Sequence, residues 1–314
     1  MHISTTQPQS HALKSLKVTH GERVVDATSG ITKIELIRYY GLVAPLMMPH
    51  LKGRPVAMLR APDGITGQLF FQKHLAEITM SGVRELPAAL DPSHPPLLEI
   101  TGSDGLLSAA QMNVIEFHTW NGLNTSIMKP DRMTFDLDPG ENTKWEAMQQ
   151  AAQLLRAFLQ QLELEAVIKT SGGKGLHVMV PLRKQYDWDT VKDFSHAIVD
   201  HMATSFPDRF TAKSGSHNRV GKIFVDYLRN GFGATTVAAW SARARPGLGV
   251  SVPLAWNELE KVTSGAHWTV ANIEPRIHKG NTPWNAHPIV PQNIKRSMKI
   301  LGFDAQAANT HVKR

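Results

Sequence analysis

Apolar residues recur at helical spacing in two long stretches of the chain and cluster at strand-like density in several short ones. In GITKIELIRYYGLVAPLMMPHLKG (30–53), Ile34, Leu36, Ile37 and Tyr40 begin an apolar stripe, and Thr32 with Glu35 has capping-box spacing. This predicts a helix closed by Pro49 and Gly53. Thr143 and Glu146 repeat the capping-box spacing ahead of Met148, Ala151, Leu155, Phe158, Leu159 and Leu162, which predicts a second long helix. Shorter helical patterns lie around 104–112 and 190–205. Strand-like runs are RPVAMLRAP (54–62) and GQLFFQKH (67–74), joined by a turn at Pro62, Asp63 and Gly64, then LLEI (97–100), VIEFHTW (114–120), MTFDLD (133–138), AVIKT (166–170), LHVMVPL (176–182) and KIFVDYL (222–228). Pro87, Pro92, Pro95 and Pro96 mark an irregular surface loop over 85–96. Strands alternating with helices argue for an α/β protein, while neighbouring strands with no helix between them argue against a simple doubly wound sheet. The expectation is a mixed α/β domain over 18–300, between a polar N-terminal tail (1–17) and a C-terminal tail (301–314).

Composition narrows the chemistry. Of 314 residues, 42% are hydrophobic and only 19% charged, which fits a packed core and excludes a disordered chain. There is no cysteine, so disulfides, thiolate zinc sites, iron–sulfur ligation and cysteine nucleophiles are excluded together. The N-terminal MHISTTQPQSHALKSLK has no signal-peptide core, and no apolar run approaches the roughly 18 residues of a membrane span. A cytoplasmic protein without a membrane partner is expected. The net charge of +7 permits a polyanion partner but is too small to name one.

Four constellations carry candidate chemistry. Asp136 and Asp138 in DLDPG lie two apart on a strand, so both face one side, and two carboxylates at about 4 Å repel by about 4 kcal/mol at an effective dielectric of 20. A hard divalent cation would neutralise them, although a strand end running into a turn also explains the motif. Asp226, inside the apolar KIFVDYL, needs either a metal or an ion pair with Lys222 or Arg229. Lys169-Thr170-Ser171-Gly172-Gly173-Lys174-Gly175-Leu176-His177 lies between two strand-like runs. It is a phosphate-binding nest with Ser171, Lys174 and His177 as added donors, or a glycine-rich hairpin turn. Arg243 and Arg245 in SARARP suit a triphosphate or a nucleic-acid backbone if they face the same way, and a solvated basic edge otherwise. His118 is either a ligand or a hydrogen-bonded core residue. Phe70 and Phe71 are either base-stacking or core aromatics.

In this order the residues resemble the polymerase domain of bacterial non-homologous end-joining ligase D, a member of the archaeo-eukaryotic primase superfamily. The segments that carry the resemblance are HGERVVDATSGITK, RPVAMLRAPDGI, FFQKH, IEFHTW, DLDPG, KTSGGKGLHVMVPL, RVGKIFVDYLRN and TTVAAWSARAR. It implies a primase-like fold of two β-sheets flanked by helices, with the active site between them. It also implies Asp136, Asp138 and Asp226 as catalytic ligands of Mn²⁺ or Mg²⁺. The incoming ribo- or deoxyribonucleoside triphosphate would be held by Ser171, Lys174, His177, Arg229, Arg243 and Arg245, with His118 near its sugar. Phe70 and Phe71 would meet the template base, and Lys33, with Arg23, would take a 5′-phosphate on the downstream strand. Arg23 stands where many members have lysine. The absence of cysteine separates the chain from zinc-bearing replicative primases.

The resemblance implies a nucleotidyltransferase that extends DNA ends by two-metal chemistry, favours ribonucleotides and recognises a gapped duplex through its 5′-phosphate. Ku and a DNA ligase domain are the implied partners, in the cytoplasm at the nucleoid. Two other readings stay open: a metal-dependent phosphodiesterase or nuclease, because the same carboxylates can direct water, and a catalytically silent end-bridging module. Lys33 has its own alternative as a surface lysine at a helix start, unfavourable there unless an anion is bound.

Overall fold

The computed structural model describes residues 17–75 and 79–305. The expected N-terminal tail lies outside the described residues except for Lys17, as does the chain beyond 305. A small hairpin, β1 (Val24–Asp26) and β2 (Ile31–Thr32), leads into α1 (Lys33–Leu51), followed by β3 (Val56–Arg60), β4 (Phe70–Gln72), β5 (Val83–Glu85), β6 (Leu98–Ile100), α2 (Ser103–Gln111) and β7 (Val114–Thr119). Next come β8 (Arg132–Pro139), α3 (Trp145–Gln161), β9 (Val167–Thr170), β10 (Leu176–Pro181), α4 (Trp188–Ser205), β11 (Phe210–Thr211) and β12 (Ile223–Asp226). The chain ends with β13 (Thr236–Val237), β14 (Pro253–Leu254), α5 (Glu274–Ile277), α6 (Thr282–Asn285) and α7 (Lys295–Leu301).

The strands form two six-stranded sheets. One runs β13-β7-β3-β6-β5, with β4 paired to β3, and the other runs β11-β12-β8-β10-β9-β14. The first shares a core with α1 and α2 through Leu36, Tyr40, Met47, Met58, Leu106 and Phe117. The second shares a core with α3 and α4 through Phe135, Leu155, Leu159, Val178, Phe194 and Ile198. This is the mixed α/β architecture of two sheets flanked by helices. One segment stitches the sheets together: β13 pairs with β7 and β14 with β9. Between them, the Ser241 hydroxyl accepts the Phe117 N–H at 2.9 Å, and the Ser251 hydroxyl accepts from Lys169 Nζ at 2.7 Å.

The two predicted helix starts fare differently. At α1 the Thr32 N–H donates to Glu35 Oε2 at 2.7 Å, as the capping-box spacing requires. The helix does not stop at Pro49 but continues to Leu51 with Pro45 and Pro49 inside it. Both prolines are exposed, while the buried stripe from Leu36 through Val43 and Met47 carries on to Leu51. Burying each such side chain contributes about 1.5–3 kcal/mol and offsets the missing backbone bonds. At α3 the cap expected from Thr143 is absent: the helix begins at Trp145 with Lys144 as its N-cap. The preceding turn is pinned elsewhere, because Gly140 N–H donates to the Lys222 carbonyl at 2.9 Å and the Thr143 hydroxyl faces that same carbonyl at 3.4 Å.

The 85–96 region carries only a 3₁₀ turn (Ala88–Leu90) after β5. At the far end, Leu301, Phe303 and Ala305 lie against the second core, so the packed body continues past residue 300, where a tail was expected. Among the described residues no helix is long and apolar enough to cross a membrane.

Candidate active site

The acidic cluster is built by strand register. Asp136 on β8 lies opposite Asp226 on β12 and opposite His177 on β10, so the three stand side by side across neighbouring strands. Asp138, two residues along, shares their face. Each acid has turned to a basic neighbour. His177 Nε2 is 3.3 Å from Asp136 Oδ1, Arg219 Nη1 is 3.4 Å from Asp138 Oδ2, and Arg229 Nε is 2.9 Å from Asp226 Oδ2. The compensator of Asp226 is thus Arg229 and not Lys222. Among the described residues no group of three or more His, Asp or Glu side chains is arranged to hold a metal ion.

The electrostatics of this face remain unbalanced. Burial pushes the Asp138 carboxyl up to about 6, with the charge of Asp136 adding to it. Asp226 is raised by burial too, with Arg229 opposing. Burial also works against Asp136, but the neighbouring His177 and the positive charges of Arg229 and Arg243 outweigh it and hold that carboxyl below the usual range. His177 is itself pushed down to about 4 by burial and is neutral at physiological pH. The His177 contact lacks hydrogen-bond geometry, so Asp136 Oδ1 is buried with no hydrogen-bond partner. An all-oxygen donor set, mutual repulsion and an orphaned buried oxygen fit a hard divalent cation such as Mg²⁺ or Mn²⁺.

The glycine loop joins β9 to β10 as a hairpin connection. Gly172 takes φ +69°, and a Cβ on Gly175 would lie 2.0 Å from the Leu137 carbonyl oxygen, so neither position tolerates a side chain without movement. The loop's N–H groups are not all directed at a ligand: those of Gly173 and Gly175 both donate to Ser171 Oγ at 3.1 Å. Ser171 therefore fills part of the expected nest and keeps one hydroxyl proton to donate. Lys174 is exposed at the loop's tip. Arg243 and Arg245 both approach the loop: a Cβ built on Gly173 would lie 3.6 Å from Arg243 Nη1 and 3.6 Å from Arg245 Nε.

Arg243 also links the two sheets. Its Nη1 donates to the Ser171 carbonyl at 3.0 Å, and its Nε donates to Glu116 Oε2, on β7 of the other sheet, at 3.0 Å. Glu116 accepts as well from Ala244 N–H and pairs with His118 Nε2, each at 2.7 Å. Burial pushes the Glu116 carboxyl up, yet its partners His118, Arg243 and Ala244 hold it down at about 2.

The aromatic pair departs from the core alternative. Phe70 and Phe71 are 44% and 47% exposed on β4, and the Phe71 ring meets His118 edge-on with centroids 5.4 Å apart. Lys33 departs from the surface alternative. It is buried, and its Nζ donates to the Thr19 carbonyl at 2.8 Å. Arg23 lies beside it, hydrogen-bonded through Nη2 to Asn113, with its Nε buried and unpartnered. Burial and then the charge of Arg23 lower the Lys33 pKa, so two cations share this spot.

Sequence reasoning missed Glu116, Arg219 and Asp26. Glu116 is an acid inside an apolar strand, the same signal that singled out Asp226. Asp26 accepts the Gly247 N–H at 2.8 Å and ties the N-terminal hairpin to the Arg243–Gly247 turn. Nothing local to RVGK marks Arg219, because it ends a 3₁₀ turn and its partner Asp138 lies far back in the chain on β8.

Comparison with known proteins places these features. The family model described as LigD, primase-polymerase domain, matches residues 32–284. The multifunctional non-homologous end joining protein LigD of Pseudomonas aeruginosa is 45% identical over 290 residues, covering 92% of this chain and 34% of that protein. Its namesake in Mycolicibacterium smegmatis is 31% identical over 246 residues, covering 78% of this chain and 32% of that protein. The chain thus spans about a third of the length of these relatives. The polymerase domain from Mycobacterium tuberculosis ligase D, solved in complex with DNA, superposes with a TM-score of 0.76 at 26% identity, covering 87% of this chain and 98% of that one.

Proposed function

The chain belongs to the LigD primase-polymerase domain family, and on that premise we propose that it extends the 3′-hydroxyl of a DNA end by nucleotidyl transfer, favouring ribonucleotides, next to a downstream 5′-phosphate. The observation that carries the reading is the register of β12, β8 and β10, which aligns Asp226, Asp136 and His177 beside a glycine loop edged by Lys174, Arg243 and Arg245. In this reading Asp136, Asp138 and Asp226 hold the divalent ions. When bound, these supply charge stabilisation at the transferring phosphoryl group and a lowered pKa for the attacking hydroxyl.

The chain's own groups do the rest. Lys174, Arg243 and Arg245 bind and orient the triphosphate, Arg229 supports them from beside Asp226, and Ser171 shapes the loop. The 3′-hydroxyl displaces pyrophosphate from the α-phosphorus, so electrostatics and positioning are the protein's main contribution. His118 contacts the sugar, Phe70 and Phe71 stack on the template base, and Lys33 with Arg23 takes the 5′-phosphate. The buried, unpartnered Arg23 Nε beside Lys33 supports that last assignment. Ku and a DNA ligase domain complete the proposal as partners acting on the same end.

The test is extension of a labelled primer on a 5′-phosphorylated gapped duplex with Mn²⁺ and ribo- or deoxyribonucleotides in parallel. Longer products support the polymerase and shorter ones a nuclease, while phosphate-dependent binding without extension supports a bridging module. Lys33→Ala should abolish the preference for the phosphorylated gap, and an unchanged preference would place that pocket elsewhere.

A further inference from the structure

Glu116 lies outside the metal-binding face, yet it gathers three N–H groups from two elements: His118 Nε2 on its own strand, and Arg243 Nε and Ala244 N from the segment that stitches the sheets. It is buried, and no solvent competes for its oxygens. We infer that Glu116 is a positioning residue that holds the sugar-side histidine and the phosphate-side arginine in one fixed relation, and that this relation sets the selectivity for the nucleotide's 2′-position. The inference rests on reading the site as a nucleotide site and deepens it.

The chemistry follows from donor and acceptor counting. An ionised carboxylate only accepts, so the ring nitrogen facing Glu116, Nε2, must carry the proton. Burial keeps the ring's pKa below its ordinary value and Glu116 is ionised, so at neutral pH the ring is neutral with Nδ1 as its bare acceptor. A ribose 2′-hydroxyl has a proton to donate to such a nitrogen, and a deoxyribose has none. Phe71 braces the ring edge-on at 5.4 Å. Arg243 reaches the Ser171 carbonyl on the opposite sheet at 3.0 Å, so one carboxylate orients both ends of the bound nucleotide.

A glutamine at this position keeps the volume but offers one acceptor oxygen to three N–H groups. Glu116→Gln should lower the ribo-over-deoxy ratio of kcat/KM about tenfold, the loss of one hydrogen bond. His118→Ala should lower that ratio by the same factor, and the double variant should lower it no further. Nitrogen-15 NMR of the ligand-free wild type should show the His118 proton on Nε2. An Nε2 without a proton, an equal loss for both sugars in Glu116→Gln, or additive effects in the double variant would overturn the inference. If Glu116→Gln fails to fold, the wild-type ring state and His118→Ala still decide, since a ratio unmoved by His118→Ala also overturns it. A wild type that extends neither sugar would overturn the polymerase reading itself and the sugar claim with it. The ring measurement would still decide the Glu116–His118 pairing.

Discussion

The two polar clusters of this molecule, one on β7 of the first sheet and the other across β8 and β12 of the second, solve opposite electrostatic problems. Around Glu116 one carboxylate meets three donors, and the group is held at about 2. Across β8 and β12, Asp136, Asp138 and Asp226 share a face with too little positive charge, and Asp138 is pushed up to about 6. A satisfied network of this kind stiffens a fold, while an uncompensated one holds repulsion that a bound cation relieves. The first cluster is built to position and the second to bind.

The largest expected effect breaks the second cluster. Asp136→Ala or Asp138→Ala should reduce metal-dependent primer extension by about 10³-fold or more, several kcal/mol of lost charge stabilisation. Removal of Asp138 also relieves repulsion, so its melting temperature should hold or rise. A clear drop in melting temperature would mean that the acids are structural. The first cluster should respond with the opposite sign. Glu116→Ala strands the Arg243 guanidinium and should lower unfolding free energy by about 3 kcal/mol in denaturant titration. A neutral result there would erase the contrast.

The pH dependence sharpens the same distinction. Asp138 has a raised folded pKa, so its contribution to stability is complete below its ordinary 3.8 and disappears as the pH rises through about 6. Glu116 is depressed, so its contribution is complete above its ordinary 4.5 and disappears as the pH falls towards about 2. Without metal, the acidic face should make the melting temperature fall between about pH 4 and 6, and Asp138→Asn should flatten that slope. Mn²⁺ should raise the melting temperature above about pH 6 and leave it nearly unchanged below about pH 4, where Asp138 and Asp226 are protonated and Asp136 alone stays ionised. The smallest effect falls on the brace. Phe71→Ala, at a half-exposed position, should leave stability nearly unchanged while weakening template-end binding by about 1–3 kcal/mol, readable as a raised KM for primer-template.

The acids were legible because a charge within an apolar strand needs a partner, and the sequence displays both the charge and the strand. Period-two alternation also placed Asp136 and Asp138 on one face. The same logic applied to Glu116 would have found it, but its partners Arg243 and Ala244 are more than a hundred residues away. Thr143 shows the converse failure: a local capping signal yielded to a tertiary bond between Gly140 and Lys222. Phe70 and Phe71 read equally as core or as stacking residues. Only their position on β4, paired to β3 alone, left them exposed.

By itself, then, the sequence determined the mixed α/β class and the family likeness, and it displayed the candidate acids and the glycine loop, because each is written in residue types and spacing within individual segments. Tertiary structure alone decided which cation meets which acid, that Ser171 occupies its own loop's nest, that Lys33 is buried beside Arg23, and that Arg243 spans both sheets. These depend on strand register and on the β13-to-β14 crossing, which bring together side chains whose separation along the chain carries no local signal.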